Sequence, residues 1–210
     1  MFEGLIFWLD AEKWLYWLVA LIATAAWIAA VIAPVKQRKG AVLPRSLESG
    51  WQTLLWFIIT IVLLLAWRWP YIVGPHILNP DESQMIAGAI TLKEFPVFWK
   101  YVDGTTHGPL ADIPLLVGNL FGVPLNYGGA RFIAGALILG GMTIAGRGFM
   151  HRYQPQAIRI GLAPAMFLEA SIAYYDFTGY MSETMPLFLI LTSIGLLVPV
   201  FSRDRDAEWR

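Results

Sequence analysis

Cysteine is absent from this 210-residue chain, which excludes disulfides and thiolate metal sites. Charge is scarce: Asp, Glu, Lys and Arg make up 14% of the residues, against roughly 25% in a soluble domain. The formal net charge is +0, so no basic field speaks for nucleic acid. Three scattered histidines offer no metal-ligand spacing. The basic segment that opens a secretory signal is also missing: Glu3, Asp10 and Glu12 stand against a lone Lys13. The first apolar run is therefore expected to be retained. No internal repeat or low-complexity tract is present.

What the chain has instead is apolar length. Hydrophobic residues reach 57%, mean hydropathy is +0.57, and ten Trp with eight Tyr suit a protein with many headgroup-level anchors. A spanning helix needs about 20 mostly apolar residues. Residues 14–33, 51–67, 132–146, 161–175 and 184–201 answer that description, the second bounded by Arg68 and Trp69, the third bracketed by Arg131 and Arg147. The expected fold is an all-α, polytopic membrane bundle of about five spans. Lys36, Arg38, Lys39 and Arg45, then Arg147, Arg152 and Arg159, then Arg203, Arg205 and Arg210 fall on one side of such a bundle. The positive-inside rule makes that side cytoplasmic and puts the amino terminus outside.

The long segment between the second and third spans then faces out. Asn79 can cap a helix that Pro80 opens, with Glu82 in the first turn. Met85, Ile86, Ala89, Ile90 and Leu92 lie near one face before Lys93 and Glu94 close it. A second apolar run, 110–121, contains Asp112, Pro114 and Asn119 and is too short to cross. Two interfacial helices are the expectation for this loop.

Asp81 and Glu82 are the first residues that could carry chemistry. A carboxylate at a membrane exit can act as a general base toward a hydroxyl; the alternative is that both acids only complement a helix N-terminus. Arg131, at the outer end of a span, is either an anion-binding cation or a snorkelling anchor. Lys93, Lys100 and His107 are further outer-side donors, His107 with a turn role as its alternative. Asp103 and Asp112 read as solvated surface acids. In the second outer turn, Asp176 and Glu183 are the acids. Glu169 lies inside a span, where an acid is costly and faces a partner or a cavity. No paired broken helices point to a transporter.

In order along the chain, Asn79-Pro80-Asp81-Glu82, Thr106-His107-Gly108-Pro109-Leu110, Phe121-Gly122 and Arg131 resemble the amino-terminal part of a membrane glycosyltransferase of the GT-C type. That family includes protein mannosyltransferases and lipid A aminoarabinose transferases. Each motif is short, and their ordered combination carries the resemblance. It covers residues 51–201, leaving 1–50 as an additional helix with a basic cytoplasmic loop and 202–210 as a charged tail. The family is normally longer and has more spans. What remains is therefore expected to be part of a larger enzyme, to be completed by a partner membrane subunit, or to be inactive.

The resemblance implies transfer of a sugar from a polyprenyl phosphate to an acceptor at the outer face of a multi-pass protein in a bacterial inner membrane. By position it makes Asp81 the catalytic carboxylate with Glu82 as its neighbour. Arg131 and His107 are the candidates to meet the phosphate, and Glu183, or alternatively Asp176, is the acid across the cavity. Some branches of the superfamily hold a divalent cation, which here would fall to Asp81 with Asp176 or Glu183. Membrane lipids are the other expected partners. The competing expectation is a noncatalytic subunit of a larger membrane complex, suggested by the Trp-rich first helix and the small residues Gly135, Gly140, Gly141 and Gly146.

Overall fold

The structure, a computed structural model, describes residues 13–33, 50–73, 78–102, 108–172 and 179–208. Within them the chain forms helices only: α1 (Lys13–Ile32), α2 (Gly50–Val73), α3 (Pro80–Glu94), α4 (Pro109–Leu120), α5 (Tyr127–Phe149), α6 (Pro155–Ser171) and α7 (Thr184–Glu208). Four of these, α1, α2, α5 and α7, are long and apolar enough to cross a membrane, which makes the chain an integral membrane protein. The second span runs further than the charge pattern suggests. It passes Arg68 and takes Pro70 into its last turns before ending at Val73.

Where apolar solvent removes the hydrophobic drive between helices, interhelical hydrogen bonds and close backbone approach hold them together. Both occur here. The Trp27 indole donates to Thr60 Oγ1 at 3.0 Å, and the Trp67 indole to Thr24 Oγ1 at 3.0 Å, joining α1 to α2 twice. The Tyr16 hydroxyl donates to Trp67 O at 3.1 Å near the start of α1. At the other end, the Gln156 side chain donates to Ile32 O at 3.0 Å and Arg159 to Ala30 O at 2.9 Å. These two satisfy carbonyls that the end of α1 leaves open.

Such contacts fix the directions of the helices. The end of α1, the start of α2, the end of α5 and the start of α6 lie at one level, where Arg147 Nη1 also donates to Thr53 Oγ1 at 2.9 Å. The end of α2, the start of α5 and the end of α6 lie at the opposite level. α5 and α7 run parallel: Gly140 meets Phe188, Gly141 meets Leu191, and Gly148 meets Gly195. At Gly148 and Gly195 the two backbones touch, leaving no room for a β-carbon on either. Two cores result. One joins α1, α2 and α6 around Trp27, Trp56, Leu63 and Met166. The other joins α3, α4 and the start of α5 around Met85, Ala89, Leu115 and Ala130.

Candidate functional site

α3 begins as its sequence dictates. Asn79 has an extended backbone and its side chain accepts from the Asp81 amide at 2.9 Å, while Pro80 needs no donor partner. The adjacent acids then part company. Asp81 is exposed at the first turn, whereas Glu82 is entirely buried. One turn on, Met85, Ile86 and Ala89 carry α3 into the second core. The apolar face of α3 is thus spent on the protein, not on lipid.

Burying a carboxylate without a counter-charge costs several kcal/mol, so Glu82 requires a partner. Arg131, in the second turn of α5, is that partner and is itself buried. Its Nε lies 3.2 and 3.1 Å from the two carboxylate oxygens, and Nη2 donates to Oε2 at 2.9 Å. Nη1 donates to Tyr71 O at 3.2 Å, a carbonyl near the end of α2. The guanidinium carbon sits 4.1 Å from the Tyr71 ring centre and 5.5 Å from that of Tyr127. The remaining demand of Glu82 is met by the Tyr180 amide, which donates to Oε1 at 3.2 Å. Ser83 and Tyr127 pair through their hydroxyls beside this cluster.

Tyr180 belongs to the short segment before α7 and is fully buried. Its hydroxyl donates to Ala111 O of α4 at 2.5 Å. Burial first, then the nearby charge of Asp112, push the phenol above the ordinary tyrosine range, so it remains a donor. Asp112 is not the solvated acid its surroundings in sequence suggest: it is fully buried against α3. A β-carbon at Gly88 would stand 2.8 Å from its Oδ1, so α3 admits this carboxylate only because position 88 is glycine.

One layer deeper, Arg68 of α2 reaches the end of α6. It donates to the backbone carbonyl of Glu169 and lies 3.2 Å from that residue's Oε1. Glu169, which the apolar run of the sequence would place within a span, therefore has a cation, and the open end of α6 has a cap. Arg68 packs above Gly135, where a β-carbon would lie 3.3 Å from Nη1. Gly135 is one turn from Arg131 on the same face of α5, and Tyr71 is one turn from Arg68 on α2. Arg68 Nε and Nη1 and the Tyr71 hydroxyl are buried without a hydrogen-bond partner among the described residues. Two ion pairs, Glu82–Arg131 and Arg68–Glu169, are thereby stacked through the end of α2.

Of the residues singled out in sequence, Glu82 and Arg131 come together, and Asp81 stands exposed beside them. Glu183 is exposed immediately before α7, three residues beyond the Tyr180 latch. His107 and Asp176 lie outside the described residues. Arg68, Tyr71 and Tyr180 are additional members. The signal for Arg68 was its place in an otherwise apolar run; Tyr71 meets Arg131 through its carbonyl as well as its ring, and Tyr180 meets Glu82 through its amide, and those backbone contacts leave no sequence signature. Among the described residues no cluster of three or more His, Cys, Asp or Glu could hold a metal ion. No protein family, curated protein or solved structure matches the chain.

Proposed function

We propose that the chain is a membrane glycosyltransferase, or the amino-terminal part of one, moving a sugar from a polyprenyl-phosphate donor to an acceptor at the outer face of a bacterial inner membrane. The observation that carries this reading is the opposite fate of two adjacent acids. Asp81 is exposed on the capped first turn of a rigid helix, while Glu82 is consumed in fixing that helix to α5. In the proposed step the acceptor oxygen attacks the anomeric carbon, the bond from that carbon to the lipid phosphate breaks, and the acceptor proton passes to Asp81. The phosphate leaves as the anion and needs positive charge or donors nearby. Arg131 is already engaged by Glu82 and Tyr71, so we assign it to positioning; among the described residues of this segment, exposed Lys93 and Lys100 are cations available to the phosphate.

Five crossings fit this reading. If the parallel helices α5 and α7 both cross, the chain between them must return through the same layer, and α6 is the segment that does so. It runs from the level of Ile32 to that of Arg68. The basic residues then share the cytoplasmic side, and Asp81 the outer side. α4 is the interfacial helix of the loop. Its Leu110, Ile113, Val117, Leu120 and Phe121 occupy one exposed face, opposite the buried Ala111, Asp112 and Leu115.

The test is transfer from a labelled polyprenyl-phosphate sugar by wild type and Asp81→Asn. A general base is worth about 10²–10⁴ in rate, so turnover should collapse with the melting temperature unchanged. Equal turnover would remove Asp81 from the mechanism. A second reading, a noncatalytic subunit, is favoured by one observation: α7 packs along α5 but exposes Leu187, Ile190, Leu197 and Phe201 elsewhere. A stoichiometric membrane partner retained in mild detergent, with no transfer by the isolated chain, would select that reading.

A further inference from the structure

Between α3 and α4 the chain folds into a small knuckle, residues 95–101. Its backbone is tied by Val97 N to Phe95 O at 2.8 Å and Tyr101 N to Val97 O at 3.3 Å, and buried Val102 roots it in the protein. What it displays is unusual for a loop. Phe95, Val97, Trp99 and Tyr101 are all exposed, Trp99 to 70% of its surface. The rings are ordered against one another: Phe95 and Tyr101 have centroids 5.1 Å apart, and Phe98 and Trp99 meet edge to face at 4.9 Å. Lys100 Nζ lies 4.9 Å from the Tyr101 ring centre.

Trp99 also has a φ of 65°, the only positive value among the described non-glycine residues. A left-handed backbone brings the β-carbon against the following carbonyl, which is why glycine or asparagine usually fills such a position. A turn made for water would put glycine there and hide its aromatics. This one spends backbone strain to push an indole outward, and strain of that kind marks a working surface.

We propose that the 95–101 knuckle is a membrane hook, seated in the headgroup layer on the side of the bundle where α2 ends and α5 begins. Three observations select a phospholipid surface as its partner. The knuckle lies in the segment joining those two spanning helices, so it emerges beside the bilayer. Its composition is that of an interfacial belt, with Trp and Tyr rings able to sit at headgroup depth. Lys100 can lay its stem along the apolar rings while its ammonium meets lipid phosphate. A flat ring face could also stack on a sugar, but Val97 and Phe95 beside it suit acyl boundary better than carbohydrate. Membrane seating of the knuckle does not depend on sugar transfer, and each can fail without the other.

The cysteine-free sequence allows a direct test. Single-cysteine variants Val97→Cys and Trp99→Cys, nitroxide-labelled in vesicles of phosphatidylcholine and phosphatidylglycerol, are compared with Arg152→Cys in a basic loop and Ile190→Cys on α7. Collisions with oxygen should exceed those with a water-soluble nickel chelate at 97 and 99, as at 190 and in contrast to 152. Trp99→Phe keeps an aromatic and gives a second measurement on a minimally altered chain. The emission lost in that variant should be quenched by brominated lipid and sheltered from iodide. Nickel accessibility at 97 and 99 equal to that at 152, or Trp99 emission open to iodide and untouched by bromine, would overturn the hook. So would protection of Trp99 from iodide by a soluble oligosaccharide without bromolipid quenching, which would assign the face to sugar.

Discussion

The Oε1 atom of Glu82 receives both the Tyr180 amide and Arg131 Nε, each at 3.2 Å. One oxygen thus binds the segment before α7 to the second turn of α5, and its owner is the third residue of α3. Because Arg131 also holds the Tyr71 carbonyl, four separate parts of the chain are fixed by a single ion pair.

Removing one member of that pair leaves the other charge buried and alone, which costs about 3–5 kcal/mol. Arg131→Met should therefore lower the unfolding free energy in detergent by that order. Glu82→Gln in the same background should restore part of the loss, because it neutralises the stranded charge while keeping an acceptor for the Tyr180 amide. Additive effects in the double-mutant cycle would show that the pair is not coupled.

Asn79 holds the Asp81 amide at the entry of α3. Asn79→Ala should cost about 1 kcal/mol, within the 0.5–2 kcal/mol of lost N-caps. Asn79→Asp, which retains the acceptor, should cost little. Amide exchange at Asp81 and Ser83 is the local measurement: it should quicken in the alanine variant and stay near wild type in the aspartate.

At Gly195 any side chain must enter the backbone of Ile144 and Ala145. Gly195→Leu should part α5 from α7 and cost about 1–3 kcal/mol, as overpacking does. Gly161, with open space where its β-carbon would stand, is the control: Gly161→Leu should leave the melting temperature nearly unchanged.

His151 lies in the turn between α5 and α6. Burial, and after it the charge of Arg147, hold its imidazole below the ordinary range. The folded state therefore prefers the neutral ring, and its contribution is full above the unfolded value of about 6.5 and lost as pH falls through the folded value. Relative to His151→Gln, the wild type should lose melting temperature as buffer is taken from pH 7.5 toward 5.5. A constant difference across that interval would show that the imidazole does not titrate there.

The helices of the segment between α2 and α5 were legible because their signals are local. Asn79 with Pro80 marks a start; the first apolar stretch closes at Glu94, where the structure also ends the helix, and the second, 110–121, closes one residue beyond the end of α4 at Leu120. The end of α2 was not legible for the opposite reason. Arg68 reads as a boundary until Glu169, 101 residues later, is known to receive it. Asp112 misled in the same way, since room for its buried carboxylate depends on a missing β-carbon at Gly88. The pairing of Glu82 with Arg131 likewise needs the tertiary fold, as does the exposure of Asp81 next to it.

α5 and α7 touch through bare backbone at Gly148 and Gly195, and at Gly141 the β-carbon of Leu191 comes within 3.0 Å of where a β-carbon would stand. The two helices are thus held close at two levels, about two turns apart on α5. Above them the Tyr180 amide adds a further tie, from the segment before α7 to Glu82. Cutting that tie would loosen the segment before α7 from α3 while the glycine contacts still hold the two long helices together.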